Sequence, residues 1–241
     1  MGLVALGMAF AAPAAAAPNK VTTVKDENGW RLQVDGEDVF LHGVNWGYVP
    51  IGTNYSYDFW EEDDAFIEGE LRKEMTLLRG MGINTIREYD SMPPRWVEFI
   101  YENYGIYTMI NPLVGRYGAD GVWVPNTNYA DPRTREILTN MTLESVKRYK
   151  DTPGIIGIML GNEANYGLSW SSFEIESLPQ GEANAGKAKA LYSLYGEIFD
   201  EIHKIDPNHP VSICNGDAQY IDIIAEEAGN MDIFGTNVYR G

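Results

Sequence analysis

One carboxylate stands where the chain is set up for chemistry. Residues 154–160, GIIGIML, are apolar on both sides of a two-residue alternation, as in a strand buried on both faces. The run ends abruptly in Gly161-Asn162-Glu163, and small and polar residues follow. A Glu at that exit either caps the next turn or works as a general acid and base. Other chemistries lack their residues. GLSWSS (167–172) has no second glycine for a nucleophile elbow, and no His follows at a persuasive place. GRYGADG (115–121) lacks the phosphate-binding order, and no Gly-Lys-Ser/Thr occurs. DFWEEDDAF (58–66) lacks the alternating ligands of a calcium loop and reads as a solvated acidic turn.

Composition narrows the partners. The 241 residues suffice for one large domain or two small ones. With 18 Lys+Arg against 35 Asp+Glu, the net charge of −17 repels phosphate backbones and anionic membranes, so nucleic acid is not an expected partner. A neutral substrate such as a sugar is compatible with it. A lone Cys214 excludes an internal disulfide, and with only His42, His203 and His209 a Cys/His metal site has almost no ligands. No metal and no cofactor are expected. Residues 3–11 form an apolar core of signal-peptide length, followed by Ala14–Ala17 with small residues for cleavage. The run is too short to span a bilayer. Residues 1–17 are therefore expected to be a signal peptide, and the protein secreted or periplasmic.

The elements that must position Glu163 alternate in type. WRLQVDGEDVFLHGVNW (30–46) alternates around Asp35-Gly36, an N-terminal β-hairpin leading into a strand near 39–45. Ile67, Leu71, Met75 and Leu78 fall at helical spacing, residues 82–89 read as a strand, and Pro93-Pro94 opens a helix. A strand at 105–111 precedes a helix from Asp131-Pro132 to Tyr149. After 154–160 come a helix marked by Leu191, Tyr195, Ile198, Ile202 and Ile205, a strand at 210–214, a short helix at 219–228 and a strand at 232–239. Strand and helix in turn call for a parallel sheet covered by helices, in one α/β domain over residues 18–241.

In such folds working residues gather at the carboxyl ends of the strands. Those ends carry Asn45 and Trp46, Arg87 and Tyr89, Asn111, Asn162 and Glu163, Asn215 and Asp217, then Asn237 and Tyr239. Amides, an arginine, a carboxylate and aromatic rings suit a sugar, whose hydroxyls need donors and acceptors and whose C–H face stacks on rings. FLHGVNW, INTIREY, IIGIMLGNEANYG and FGTNVY resemble strands one, two, four and six of the clan A glycoside hydrolases, retaining (β/α)8 TIM-barrel enzymes. The pattern is most similar to the catalytic barrel of glycoside hydrolase family 2, with echoes of families 5 and 72. His42 stands where many relatives have Arg.

The resemblance implies roles. Glu163 would be the acid/base, Asn162 would bond the sugar 2-hydroxyl, and Arg87 and Tyr239 would orient the nucleophilic carboxylate. Asn45, Trp46, Tyr89, Asn111, Tyr166, Trp170, Asn215, Asp217 and Asn237 would line the substrate cleft, with Trp46, Tyr89, Tyr166 and Trp170 as stacking candidates. In these families the nucleophile is a Glu ending strand seven. Only about six strands can be counted here, so the barrel is expected to be incomplete, without strands seven and eight, and the nucleophile to lie beyond residue 241. The expected function is hydrolysis of a β-linked oligo- or polysaccharide by two carboxylates with retention. The alternatives are a non-catalytic carbohydrate-binding barrel and a β-glucan transglycosylase.

Overall fold

The computed structural model describes residues 17–54, 56–89, 91–115 and 126–239. Nearly all of the segment read as a signal peptide, Asp90 and part of the 112–130 loop lie outside them. The chain opens with three antiparallel strands, β1 (Val21–Asp26), β2 (Gly29–Val34) and β3 (Glu37–Val39). β4 (Gly43–Asn45), β5 (Thr85–Glu88), β6 (Tyr107–Ile110), β7 (Ile155–Leu160) and β8 (Val211–Ile213) then form a parallel sheet in chain order. Between them run α1 (Asp64–Gly80), α2 (Pro94–Tyr104), α3 (Pro132–Tyr149), the single turn α4 (Phe173–Glu176) and α5 (Gln180–Ile205). β9 (Asn215–Gly216), α6 (Ile221–Glu227) and β10 (Thr236–Asn237) complete the described chain.

Local chemistry sets these boundaries. Asp63 and Asp131 cap α1 and α3 by accepting the N–H groups of Phe66 (3.0 Å) and Thr134 (2.7 Å). Pro94 fills the first turn of α2, where its missing N–H costs nothing, and Gly105 ends that helix in the left-handed region. Ile67, Leu71 and Met75 bury one stripe of α1, and Leu191, Tyr195, Ile198 and Ile202 bury one of α5. β7 is buried almost throughout, as its two-sided apolar pattern requires.

Three expectations need correction. The N-terminal hairpin is real, with Asp35 and Gly36 both at positive φ in its two-residue turn, but β1 adds a third strand to it. The single strand expected near 39–45 is two. Asn84 interrupts it, its Oδ1 accepting the His42 N–H and its Nδ2 donating to the Phe40 carbonyl, both at 2.8 Å, in place of a ladder partner. The strand expected at 232–239 shrinks to β10, which pairs with β9 and touches the sheet again through an Ile233–Ser212 bridge. β8 and β9 are thus one strand broken at Cys214, and β10 is its neighbour. The start of α5 was missed because EANAGKAKA has helical propensity but hardly any apolar stripe.

The antiparallel sheet covers the amino ends of the parallel strands. Val21 and Val34 pack on Ile156, with Tyr107 and Met109 alongside. Asn19 Oδ1 accepts the Gly154 N–H at 2.8 Å, and the Val21 N–H donates to Asn208 at 2.7 Å. The opposite, carboxyl end is left to the site. No helix among the described residues is long and apolar enough to cross a membrane.

The packing of α5 on α6 yields a test of sign. A Cβ on Gly196 would sit 2.3 Å from the Glu227 carbonyl oxygen, a backbone atom that cannot swing away. Gly196→Ala is therefore expected to destabilise the fold by about 1–3 kcal/mol, despite alanine's better helix propensity. Gly69→Ala, with open space around it in α1, should stabilise by about 0.5–1 kcal/mol. Urea denaturation of both variants checks the contrast; two shifts of the same sign would refute it.

Candidate active site

β7 delivers its polar residues through a sharp turn. Gly161 adopts φ +65°, and a Cβ there would lie 2.2 Å from the Tyr195 hydroxyl. Glu163 is itself left-handed, at φ 52° and ψ 38°, a conformation that costs a non-glycine residue about 1–2 kcal/mol. Three bonds hold it there. Its N–H donates to the Cys214 carbonyl at 2.8 Å, its carbonyl accepts the Tyr166 N–H at 3.0 Å, and its Oε1 accepts Asn237 Nδ2 at 2.9 Å. Strain held by several neighbours at a partly exposed carboxylate is what a working group would show.

Asn162 is fixed from three sides. Its Oδ1 accepts from Arg87 Nη2 at 3.1 Å, from Asn237 Nδ2 at 3.4 Å and from the Cys214 thiol at 3.5 Å. Its oxygen is thereby saturated, and its Nδ2 is the end left to meet a ligand hydroxyl. Arg87, on β5, gives Nε to Asn111 Oδ1 at 2.6 Å and lies over the Tyr89 ring, 4.9 Å from its centre. Arg87 therefore positions Asn162. Burial pushes the Cys214 thiol up from its ordinary range, so it stays an S–H donor.

The strand-end residues separate into surfaces and braces. Tyr166 is 46% exposed, its ring packed on Gly216 and its hydroxyl donating to Asp217 Oδ2 at 2.8 Å. Tyr89 is also partly open, Asn45 is exposed on β4, and Tyr239 is 83% exposed at the end of the described chain. Four expected cleft residues are corrected. Asn111 is fully buried, its Nδ2 donating to the carbonyls of Met159 (2.6 Å) and Gly161 (2.7 Å). Asn215 is buried too, donating to the carbonyls of Asp217 and Gln219 and accepting from the Tyr192 hydroxyl. Trp170, at 2% exposure, is core, and Trp46 packs against Phe59 and Trp60. None of the four offers a face to a sugar.

Two residues were overlooked in the sequence. The sequence marks Cys214 only as a thiol without a disulfide partner or a metal-ligand set, yet it lies within hydrogen-bonding distance of both site amides. Asn165 exchanges two bonds with Gly216, giving Nδ2–H to its carbonyl (3.0 Å) and accepting its N–H (2.8 Å), which ties the loop after β7 to β9. Its place two residues after Glu163 was the available signal.

No protein-family model matches the chain. A β-galactosidase from Arthrobacter sp. (strain B7) is 27% identical over 143 residues, which are 58% of this chain and 13% of that protein. A Bacteroides uniformis β-glucuronidase structure superposes with a TM-score of 0.63 at 14% identity, over 92% of this chain and 23% of its own. A β-mannanase from the blue mussel Mytilus edulis gives 0.61 at 15%, over 94% and 76%. The agarase AgWH50C gives 0.60 at 18%, over 95% and 47%. The likeness to these solved structures is one of fold, a mixed α/β fold with a parallel sheet. The chain spans about an eighth of the β-galactosidase and about a quarter of the β-glucuronidase.

Asn111→Ala tests the brace beneath the site. It would leave the Arg87 guanidinium and two carbonyls short of a partner, so a loss of about 2–4 kcal/mol is expected in chemical denaturation. A loss below about 0.5 kcal/mol would show that Arg87 and Asn162 are held by something else.

Proposed function

We propose that this chain carries the acid/base half of a retaining glycosidase that is secreted and acts on a β-linked glycan. The observation that carries the reading is Glu163. It is a carboxylate held in a strained turn after the carboxyl end of β7, beside an amide clamped by Arg87, in a fold shared with several glycosidases. Glu163 would give its proton to the leaving glycosidic oxygen as a second carboxylate attacks the anomeric carbon, and would later take a proton from the water that releases the sugar. Asn162 Nδ2 would bond the sugar 2-hydroxyl, a contact that strengthens in the transition state.

Retention requires the second carboxyl group about 5–5.5 Å away across the scissile bond. The proposed source is a Glu on the next barrel strand, beyond Gly241, oriented by Arg87 and Tyr239. Two features support room for further strands. β4 and β10 are the edges of the described sheet arrangement, and Phe40 and Tyr239 beside them are 87% and 83% exposed. Sugar stacking falls to Tyr166 and Tyr89, the partly open rings nearest Glu163 and Arg87.

The test uses the full-length protein and aryl β-glycosides of graded leaving-group ability, alongside natural glycans. Glu163→Ala should lower turnover of natural glycans and phenyl glycosides about 10²–10⁴-fold. Dinitrophenyl glycosides should suffer less in the first step, and azide should restore turnover limited by the second. Wild-type rates for Glu163→Ala on a natural glycan would remove the assignment. Tight glycan binding by the wild type with no turnover would instead mark a carbohydrate-binding barrel, and transfer to an added sugar would mark a transglycosylase.

A further inference from the structure

The turn after β9 presents a second carboxylate in the same backbone conformation as the first. Asp217 adopts φ 52°, as Glu163 does, at the end of the next strand over. Three bonds hold it there. Its carbonyl accepts from Asn215 Nδ2 at 2.8 Å and from Thr236 Oγ1 at 2.7 Å, and its N–H donates to the Asn237 carbonyl at 3.1 Å. Asn237, expected to touch substrate, serves both acids instead, because its Nδ2 also donates to Glu163 Oε1 at 2.9 Å. One residue of β10 thus ties the two carboxylates to each other.

The side chain of Asp217 is aimed as well as its backbone. The Tyr166 hydroxyl donates to Asp217 Oδ2 at 2.8 Å. The Tyr166 ring lies so close on Gly216 that a Cβ there would stand 2.2 Å from its Cε2. One side of the ring is therefore covered by β9, yet the residue keeps 46% exposure. Each carboxylate oxygen of Asp217 carries two lone pairs, more than one hydroxyl donor uses.

We propose that Asp217, steadied by the Tyr166 hydroxyl, accepts a hydroxyl of the sugar that leaves, with the Tyr166 ring against that same sugar. The order of the sheet gives the direction. Asn162, which takes the sugar whose bond is broken, is held from the β5 side by Arg87. Tyr166 and Asp217 meet on the β9 side of Glu163. A glycan crossing the mouth of the sheet puts its scissile oxygen at Glu163, so the sugar toward Asp217 is the leaving one. The aglycone selected is then a hydroxylated sugar rather than an alkyl or aryl group. The inference rests on the glycosidase reading of Glu163 and adds which leaving group that site prefers.

The experiment compares wild type, Asp217→Ala, Asp217→Asn and Tyr166→Phe in the full-length protein, with Glu163→Gln as reference. Each disaccharide is paired with the methyl glycoside of the same sugar. The pairs are lactose with methyl β-D-galactoside, cellobiose with methyl β-D-glucoside, and β-1,4-mannobiose with methyl β-D-mannoside. Both members of a pair need the Glu163 proton, but only the disaccharide carries hydroxyls on its leaving group. A general disturbance of Glu163 slows both alike, whereas a lost contact lowers the ratio of their kcat/KM values. That ratio should fall about ten- to hundredfold in Asp217→Ala. It should fall about three- to tenfold in Tyr166→Phe, which keeps the ring, and in Asp217→Asn. Asparagine is at ease in the left-handed region, so Asp217→Asn reports even if the alanine variant does not fold. A wild-type ratio in any folded variant of the three would overturn the proposal. So would a wild-type kcat/KM no higher on any disaccharide than on its methyl partner. If Glu163→Gln turns over both members of a pair at wild-type rates, the glycosidase reading fails instead.

Discussion

The site depends on how the chain leaves β7. A strand buried on both faces must become, within three residues, a partly exposed carboxylate at the mouth of the sheet. Gly161 makes this possible because the turn takes a left-handed residue exactly where the Tyr195 hydroxyl leaves no space for a Cβ. Glu163 repeats the left-handed conformation without glycine's freedom. Its backbone is therefore held by Cys214 on one side and by the Tyr166 N–H on the other. Everything nearby serves either to hold that turn or to use the group it presents.

The holding is done by amides more than by ions. Asn111 fastens β6 to the end of β7 through two carbonyls and carries Arg87 on its oxygen. Arg87 reaches Asn162, and Asn237 links Asn162 to Glu163. Asn165 and Asn215 brace the far wall. An amide donates and accepts at once, so a chain of amides can fix direction as well as distance.

Much of this was legible in the sequence, and the failures share one cause. The buried strand at 154–160 and Glu163 at its exit stood out because two-sided apolarity followed by a carboxylate is rare in a loop and costly in a core. α3 announced its start through Asp131, and α2 through Pro94, whereas α1 showed only its apolar spacing from Ile67 onward. What a one-dimensional pattern cannot carry is the direction of a side chain at a strand end. Asn111 and Asn215 read the same as Asn45, yet they point into the protein and it does not. Trp170, close to Glu163 in sequence, could have been platform or core until its burial decided. The break between β3 and β4 was hidden because Asn84, far along the chain, supplies the bonds that a ladder would have made.

The central claim is that Glu163 is the acid/base of a retaining site, and the configuration of one product tests it most directly. The full-length Glu163→Ala variant would be incubated with a dinitrophenyl β-glycoside and azide, and the glycosyl azide formed would be examined by proton NMR. With Glu163 removed, azide should enter on the face where Glu163 stood and attack a glycosyl-enzyme intermediate. The account predicts a β-glycosyl azide. An α-glycosyl azide, or the absence of any azide product from a variant that still hydrolyses the substrate, would contradict it.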